Sequence, residues 1–172
     1  AGEGDVFIAA GVETVSRFMS GMADSGPHNP LYAAAEARTA DRTANAQTEW
    51  APIEGSLPDV YISMGQTAEN VANLEKVSRE EQDEFAALSQ QRATASLENG
   101  FWENEITPVT TNDDEGNEVV VTRDDGIRAG TTAEGLAGLK PVFRPEGTVT
   151  AGNACPLNDG AAAVVVMSDT KA

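Results

Sequence analysis

The 172 residues carry 40% hydrophobic and 23% charged side chains, the composition of a globular chain with enough apolar material for a core. With 11 basic against 28 acidic residues the net charge is −17, which excludes the basic stripe that nucleic acid demands and argues equally against an anionic bilayer. The longest apolar run, Ala161 to Met167, falls far short of the ~20 residues that cross a membrane, and the single cysteine cannot close an internal disulfide.

Residues 1–5 lack the basic and apolar regions of a signal peptide, so a cytoplasmic location is expected. The acidity does not exclude a small anionic ligand, because two or three well-placed arginines can hold a phosphate inside a negative surface. Asp5 to Gly11 then forms a short apolar run with β-branched and aromatic members side by side, which predicts a strand buried on both faces. Ala161 to Met167 predicts a second such strand near the other end. With no element before the first or after the second to cover them, the chain is expected to begin and end inside a core.

Between these strands the composition turns small, polar and acidic, and Pro27, Pro30, Pro52 and Pro58 mark a long loop-rich excursion over residues 20–60. Met64 to Asn70 predicts a helix start with Thr67 as its cap. Ser78 and Glu81 form a capping box for the clearest helix, with Phe85, Leu88 and Ala95 on its apolar face and Gly100 as its stop. The β-prone runs 105–111 and 118–122, separated by the turn-forming 112–116, predict a hairpin. A shorter helix is expected over Thr132 to Leu139, with Thr131 and Glu134 as cap pair. These elements predict an α/β chain in which a small lobe interrupts a core.

Several residues invite a chemical reading. Cys155 is either a nucleophile, which requires a neighbouring base or cation, or a small buried apolar group. One cysteine and one histidine cannot supply a zinc site, so no metal is expected, and His28 sits in a turn-forming stretch where an exposed loop histidine is the plain alternative to a general base. Met64 is a core methionine or a site residue. Arg123 and Arg128 flank Asp124 and Asp125 just before a helix start, where they would bind a phosphate or simply pair with those carboxylates. Asn153, Asn158 and Asp159 lie in a tightly turning stretch before the last strand, which is either a site or a turn held by its own side chains.

Five segments in collinear order resemble the thiolase family, the coenzyme A-dependent acyltransferases that make or cleave 3-ketoacyl-CoA. They are Ala10 to Ser16, Met64 to Ala72, Ser78 to Ala86, Leu136 to Pro141, and Gly147 to Ala154 continuing to Asn158 to Ala162. The resemblance implies a layered α/β/α thiolase core with an inserted α+β loop domain. Residues 1–20 would end the N-terminal core half, 21–149 would form the inserted coenzyme A-binding lobe, and 150–172 would supply the return strand. It also implies an acyl-accepting cysteine, an activating histidine and a second proton-transferring cysteine, all outside these residues, so no catalytic residue and no turnover are expected of this stretch alone.

Carried over singly, Met64 would pack beside the reacting thioester, Arg128 would contact the coenzyme A nucleotide, and Thr132 and Cys155 would lie along the coenzyme A tunnel. Cys155 stands where many relatives carry a serine, Gly135 replaces a serine that often contacts coenzyme A, and Ser63 replaces a histidine common in biosynthetic members, which points toward a broad-range, degradative type. No tightly bound cofactor is implied; acyl-CoA and coenzyme A enter as substrates, and a homodimer or homotetramer is expected. The competing reading is a non-catalytic acidic module that keeps the lobe for binding or assembly.

Overall fold

The computed structural model describes residues 4–15, 26–45 and 55–172. Ser16, Pro52 and the domain boundary expected at residue 20 lie outside them. Two compact units are present, one combining residues 1–29 with 156–172 and the other holding residues 30–155.

In the first unit, β1 (Val6–Glu13) and β4 (Gly160–Met167) pair antiparallel, with Val6 opposite Met167 and Glu13 opposite Gly160. Both strands fall where the apolar runs placed them, but every residue of the ribbon is exposed, contrary to the expected burial on both faces. Val6, Phe7 and Ile8 in β1 and Val164 to Val166 in β4 are the β-branched and aromatic strand formers, and nothing among the described residues covers either side of the ribbon. Lys171 Nζ and Asp5 form an exposed ion pair at 3.2 Å near the strand ends.

The second unit opens with a 3₁₀ turn (Pro30–Tyr32) running into α1 (Ala33–Ala44), a helix within the stretch expected to be loop. Its alanines supply helix propensity that the neighbouring prolines masked in sequence. Next comes α2 (Met64–Leu74), whose N-cap is Ser63; Thr67 is internal and its hydroxyl donates to the Met64 carbonyl at 2.7 Å, so the expected cap role is corrected. The end of α2 is a Schellman motif: the Val77 amide donates to the Ala72 carbonyl at 2.8 Å and the Lys76 amide to Asn73 at 3.3 Å. Lys76 occupies the left-handed position at φ 56°, where glycine is the usual residue.

Helix α3 (Arg79–Glu98) carries the expected capping box: Ser78 Oγ accepts the Glu81 amide at 3.1 Å and the Ser78 amide donates to Glu81 at 2.8 Å. These bonds to Ser78 hold the exposed Glu81 carboxyl below its ordinary range. Asn99 and the left-handed Gly100 (φ 77°) end the helix. Its buried positions are Asp83 and Ala87, whereas Phe85 is 71% exposed and Leu88 and Ala95 are also exposed, which reverses the expected facing. Periodicity of apolar residues misleads here because the buried stripe contains a paired carboxylate. A 3₁₀ turn (Phe101–Asn104) folds back so that Trp102 Nε1 donates to the Ala93 carbonyl at 3.1 Å.

The hairpin consists of β2 (Val109–Asn112) and β3 (Glu118–Val121), shorter than predicted, with Asp113 accepting the Glu115 and Asn117 amides across the turn. Helix α4 (Ala133–Ala137) is capped by Thr132, whose Oγ1 accepts the Gly135 amide at 3.1 Å. The cap lies one residue beyond the expected Thr131, whose hydroxyl instead donates to the Arg128 carbonyl at 2.7 Å. Among the described residues, no helix is long and apolar enough to cross a membrane.

Candidate functional site

The polar interior of the second unit is organised around residues 143–153. Helical spacing puts Gln66, Glu69 and Asn70 on the side of α2 that meets this segment. Glu69 is only 5% exposed, and its carboxylate accepts the Thr148 amide at 2.9 and 3.0 Å, the Val149 amide at 2.8 Å and the Thr148 hydroxyl at 3.1 Å. A buried carboxylate is tolerated when its oxygens are filled by donors in this way. Gln66 donates to the Phe143 carbonyl, and Arg144 Nε donates back to Gln66 Oε1 at 2.7 Å while its terminal nitrogen donates to Asn70. Burial lowers the Arg144 pKa, and the nearby Glu69 charge opposes that shift.

From the opposite side, α3 presents Asp83, 2% exposed, between Arg79 Nε at 2.7 Å and Asn153 Nδ2 at 3.0 Å. Asn153 also accepts the Thr150 amide at 2.7 Å and donates to the Thr148 carbonyl at 3.0 Å, so this part of the turn is held by its own side chain and by α3 together. Gln82 adds a bond to the Thr148 hydroxyl at 3.0 Å, and the guanidinium of Arg79 reaches the Leu136 and Leu139 carbonyls at 2.8 and 3.0 Å.

Three glycines permit this close approach. A Cβ on Gly65 would fall 2.2 Å from the Phe143 ring, one on Gly147 2.4 Å from Glu69 Oε1, and one on Gly152 2.5 Å from Leu136 Cδ2. The glycines of the family-like motifs are thus contact points between segments, and the acidic and amide residues of the same motifs are the clamps.

The expected site residues are distributed around this scaffold. Met64 is the first residue of α2 and 79% exposed. Arg128 is exposed; its amide donates to Gln90 Oε1 on α3 at 2.8 Å, and neither it nor Arg123 is paired with Asp124 or Asp125. Thr132 caps α4, a helix of 5 residues. Cys155 is an exposed free thiol, which removes the reading of it as a buried apolar group, and it has no hydrogen-bond partner among the described residues. His28 is exposed. Among the described residues, no group of His, Cys, Asp and Glu is arranged to hold a metal ion. A cavity of about 350 Å³ opens between the end of α2 and residues 144–148, lined in part by Lys76, Ser78, Arg144 and Glu146. None of Met64, Arg128, Thr132 or Cys155 lines it.

Sequence reasoning did not find Glu69, Asp83 or Arg144 as structural centres. The signal for Glu69 was present in the spacing of Gln66, Glu69 and Asn70, but its partner Thr148 lies 79 positions downstream.

The chain is 44% identical over 173 residues to an acetyl-CoA acetyltransferase of Pseudomonas aeruginosa and 45% identical to a beta-ketoadipyl-CoA thiolase of Acinetobacter baylyi, alignments that take in 99% and 98% of this chain. It spans 41% of the length of each of these curated relatives. Among solved structures it resembles the Bacillus anthracis acetyl-CoA acetyltransferase, with a TM-score of 0.63 at 37% identity over 99% of this chain and 40% of that one. It also resembles the dimeric peroxisomal thiolase of Saccharomyces cerevisiae, with a TM-score of 0.65 at 33% identity over 95% and 36%. Residues 1–170 match the family described as thiolase, N-terminal domain, and the chain, an α/β protein of that fold, therefore belongs to the thiolase family.

Proposed function

We propose that this chain supplies the coenzyme A-contacting portion of a thiolase-type acyltransferase that cleaves 3-ketoacyl-CoA with coenzyme A, or condenses two acetyl-CoA molecules in the reverse direction, through an acyl-cysteine intermediate. One observation supports the reading above the others. The 147–153 segment is fixed by buried carboxylates from two helices, Glu69 and Asp83, which gives the neighbouring Thr132 and Cys155 a rigid frame. Rigid placement of contact groups is what positional catalysis requires.

In this reading Arg128, unpaired with its acidic neighbours and exposed, meets the phosphates of the coenzyme A nucleotide; Thr132 and Cys155 line the path of the pantetheine arm; and Met64, bare at the start of α2, packs beside the thioester. Cys155 is a lining group and not the nucleophile, since among the described residues no base or cation is bonded to its thiol to activate it. The acyl-accepting cysteine and its histidine come from residues beyond this stretch, and the working enzyme is a homodimer or homotetramer.

Arg128→Ala in the full-length protein tests the placement. The KM for coenzyme A is expected to rise roughly tenfold, the value of one charge-assisted contact of about 1.5 kcal/mol, while kcat changes little. An unchanged KM would contradict the assignment.

A further inference from the structure

We infer that Arg79 and Asp83 form a splint that sets Thr132 and Cys155 in register, and that they are positioning residues for coenzyme A. This rests on the reading of Thr132 and Cys155 as coenzyme A contacts. The two residues lie one turn apart on α3 and pair at 2.7 Å, with side chains 22% and 3% exposed. Each then reaches a different segment. Through its terminal nitrogen Arg79 donates to the Leu136 and Leu139 carbonyls, the end of the α4 segment that Thr132 begins. Through its second oxygen Asp83 accepts from Asn153 Nδ2, and Asn153 closes the turn of Thr148, Thr150 and Gly152 that leads to Cys155 two residues later.

The chemistry of each group suits this role. Arg79 uses one planar fork for a carboxylate and two carbonyls, a pattern that the single ammonium of lysine cannot reproduce. Asp83 is nearly sealed from water, so its charge is stabilised only while both Arg79 and Asn153 are in place. Gly152 seals the same junction, because its bare Cα lies against Leu136 and Leu139, the two residues whose carbonyls Arg79 holds. The segments bearing Thr132 and Cys155 therefore touch each other directly and are tied to one ion pair on a third element. A shift of one moves the other.

The test is Arg79→Lys in the full-length protein, read by amide hydrogen exchange over residues 132–140 and 148–155 and by steady-state kinetics with coenzyme A as varied substrate. Exchange is expected to rise in both segments together, and the KM for coenzyme A to rise about tenfold or more with kcat within a few-fold of the parent. Loosening confined to one segment, or an unchanged KM alongside loosening, would overturn the splint. Should Arg79→Lys fail to fold, Asp83→Asn carries the same comparison, with loosening expected first over 148–155. Failure of both variants to fold would make the pair a folding element and end the proposal. Arg128→Ala in the same assay separates the two readings. If it raises the KM and Arg79→Lys does not, the splint alone fails; if it leaves the KM unchanged, the coenzyme A placement has failed, and with it the positioning role.

Discussion

At the scale of single residues, the unit of residues 30–155 is held by charge placed out of water and by the absence of side chains at three contacts. Glu69 shows how the two cooperate. Its Oε1 occupies the space that a Cβ on Gly147 would need, at 2.4 Å, and it cannot swing aside without abandoning the Thr148 and Val149 amides. Gly147→Ala is therefore expected to destabilise the protein by about 1–3 kcal/mol, seen as a lower urea midpoint at unchanged slope. An unaltered midpoint would show that the carboxylate has room the structure does not give it. Arg144 belongs to the same knot, bonded to Gln66, about one turn before Glu69, and to Asn70, the residue that follows it. What sequence conveyed here was the identity of the motifs. What it did not convey was that Gln66, Glu69 and Asn70 answer to Phe143, Thr148 and Arg144, because a partner far along the chain leaves no trace in local spacing.

At the scale of elements, local signals read well and tertiary ones poorly. The capping box of Ser78 and Glu81 is complete within four residues and sits where the sequence placed it, as do the hairpin turn at Asp113 and the stop at Gly100. Helix α1 was missed because flanking prolines outweighed its alanines, and the face of α3 was misassigned because Asp83, the most buried of its residues, is polar. The end of α2 was concealed for a different reason: its Schellman motif places Lys76 at φ 56° instead of the glycine that marks such ends. Lys76→Gly is accordingly expected to stabilise the protein by about 1 kcal/mol by removing left-handed strain, a gain visible as a higher melting temperature. A lower one would mean that the aliphatic stem of Lys76, at the rim of the α2 cavity, contributes more than its backbone costs.

At the scale of the whole molecule, the chain is acidic, α/β and of the thiolase family, and it spans 41% of the length of its curated relatives. The apolar ribbon of β1 and β4 was legible as strand from its clustered Val6, Phe7, Ile8 and Val164 to Val166, yet its burial was not observed, since both faces are bare among the described residues. The functional reading divides the labour between this stretch, which grips and aligns coenzyme A, and residues elsewhere that carry the reactive thiol. Cys155 is where that division is most exposed to test, being the chain's single cysteine and an exposed free thiol. The direct measurement is to incubate the full-length protein with a 3-ketoacyl-CoA, quench in acid, and locate the retained acyl group by peptide mass spectrometry. The account predicts a thioester on a cysteine outside these 172 residues and an unmodified Cys155. An acyl group found on Cys155 would contradict it.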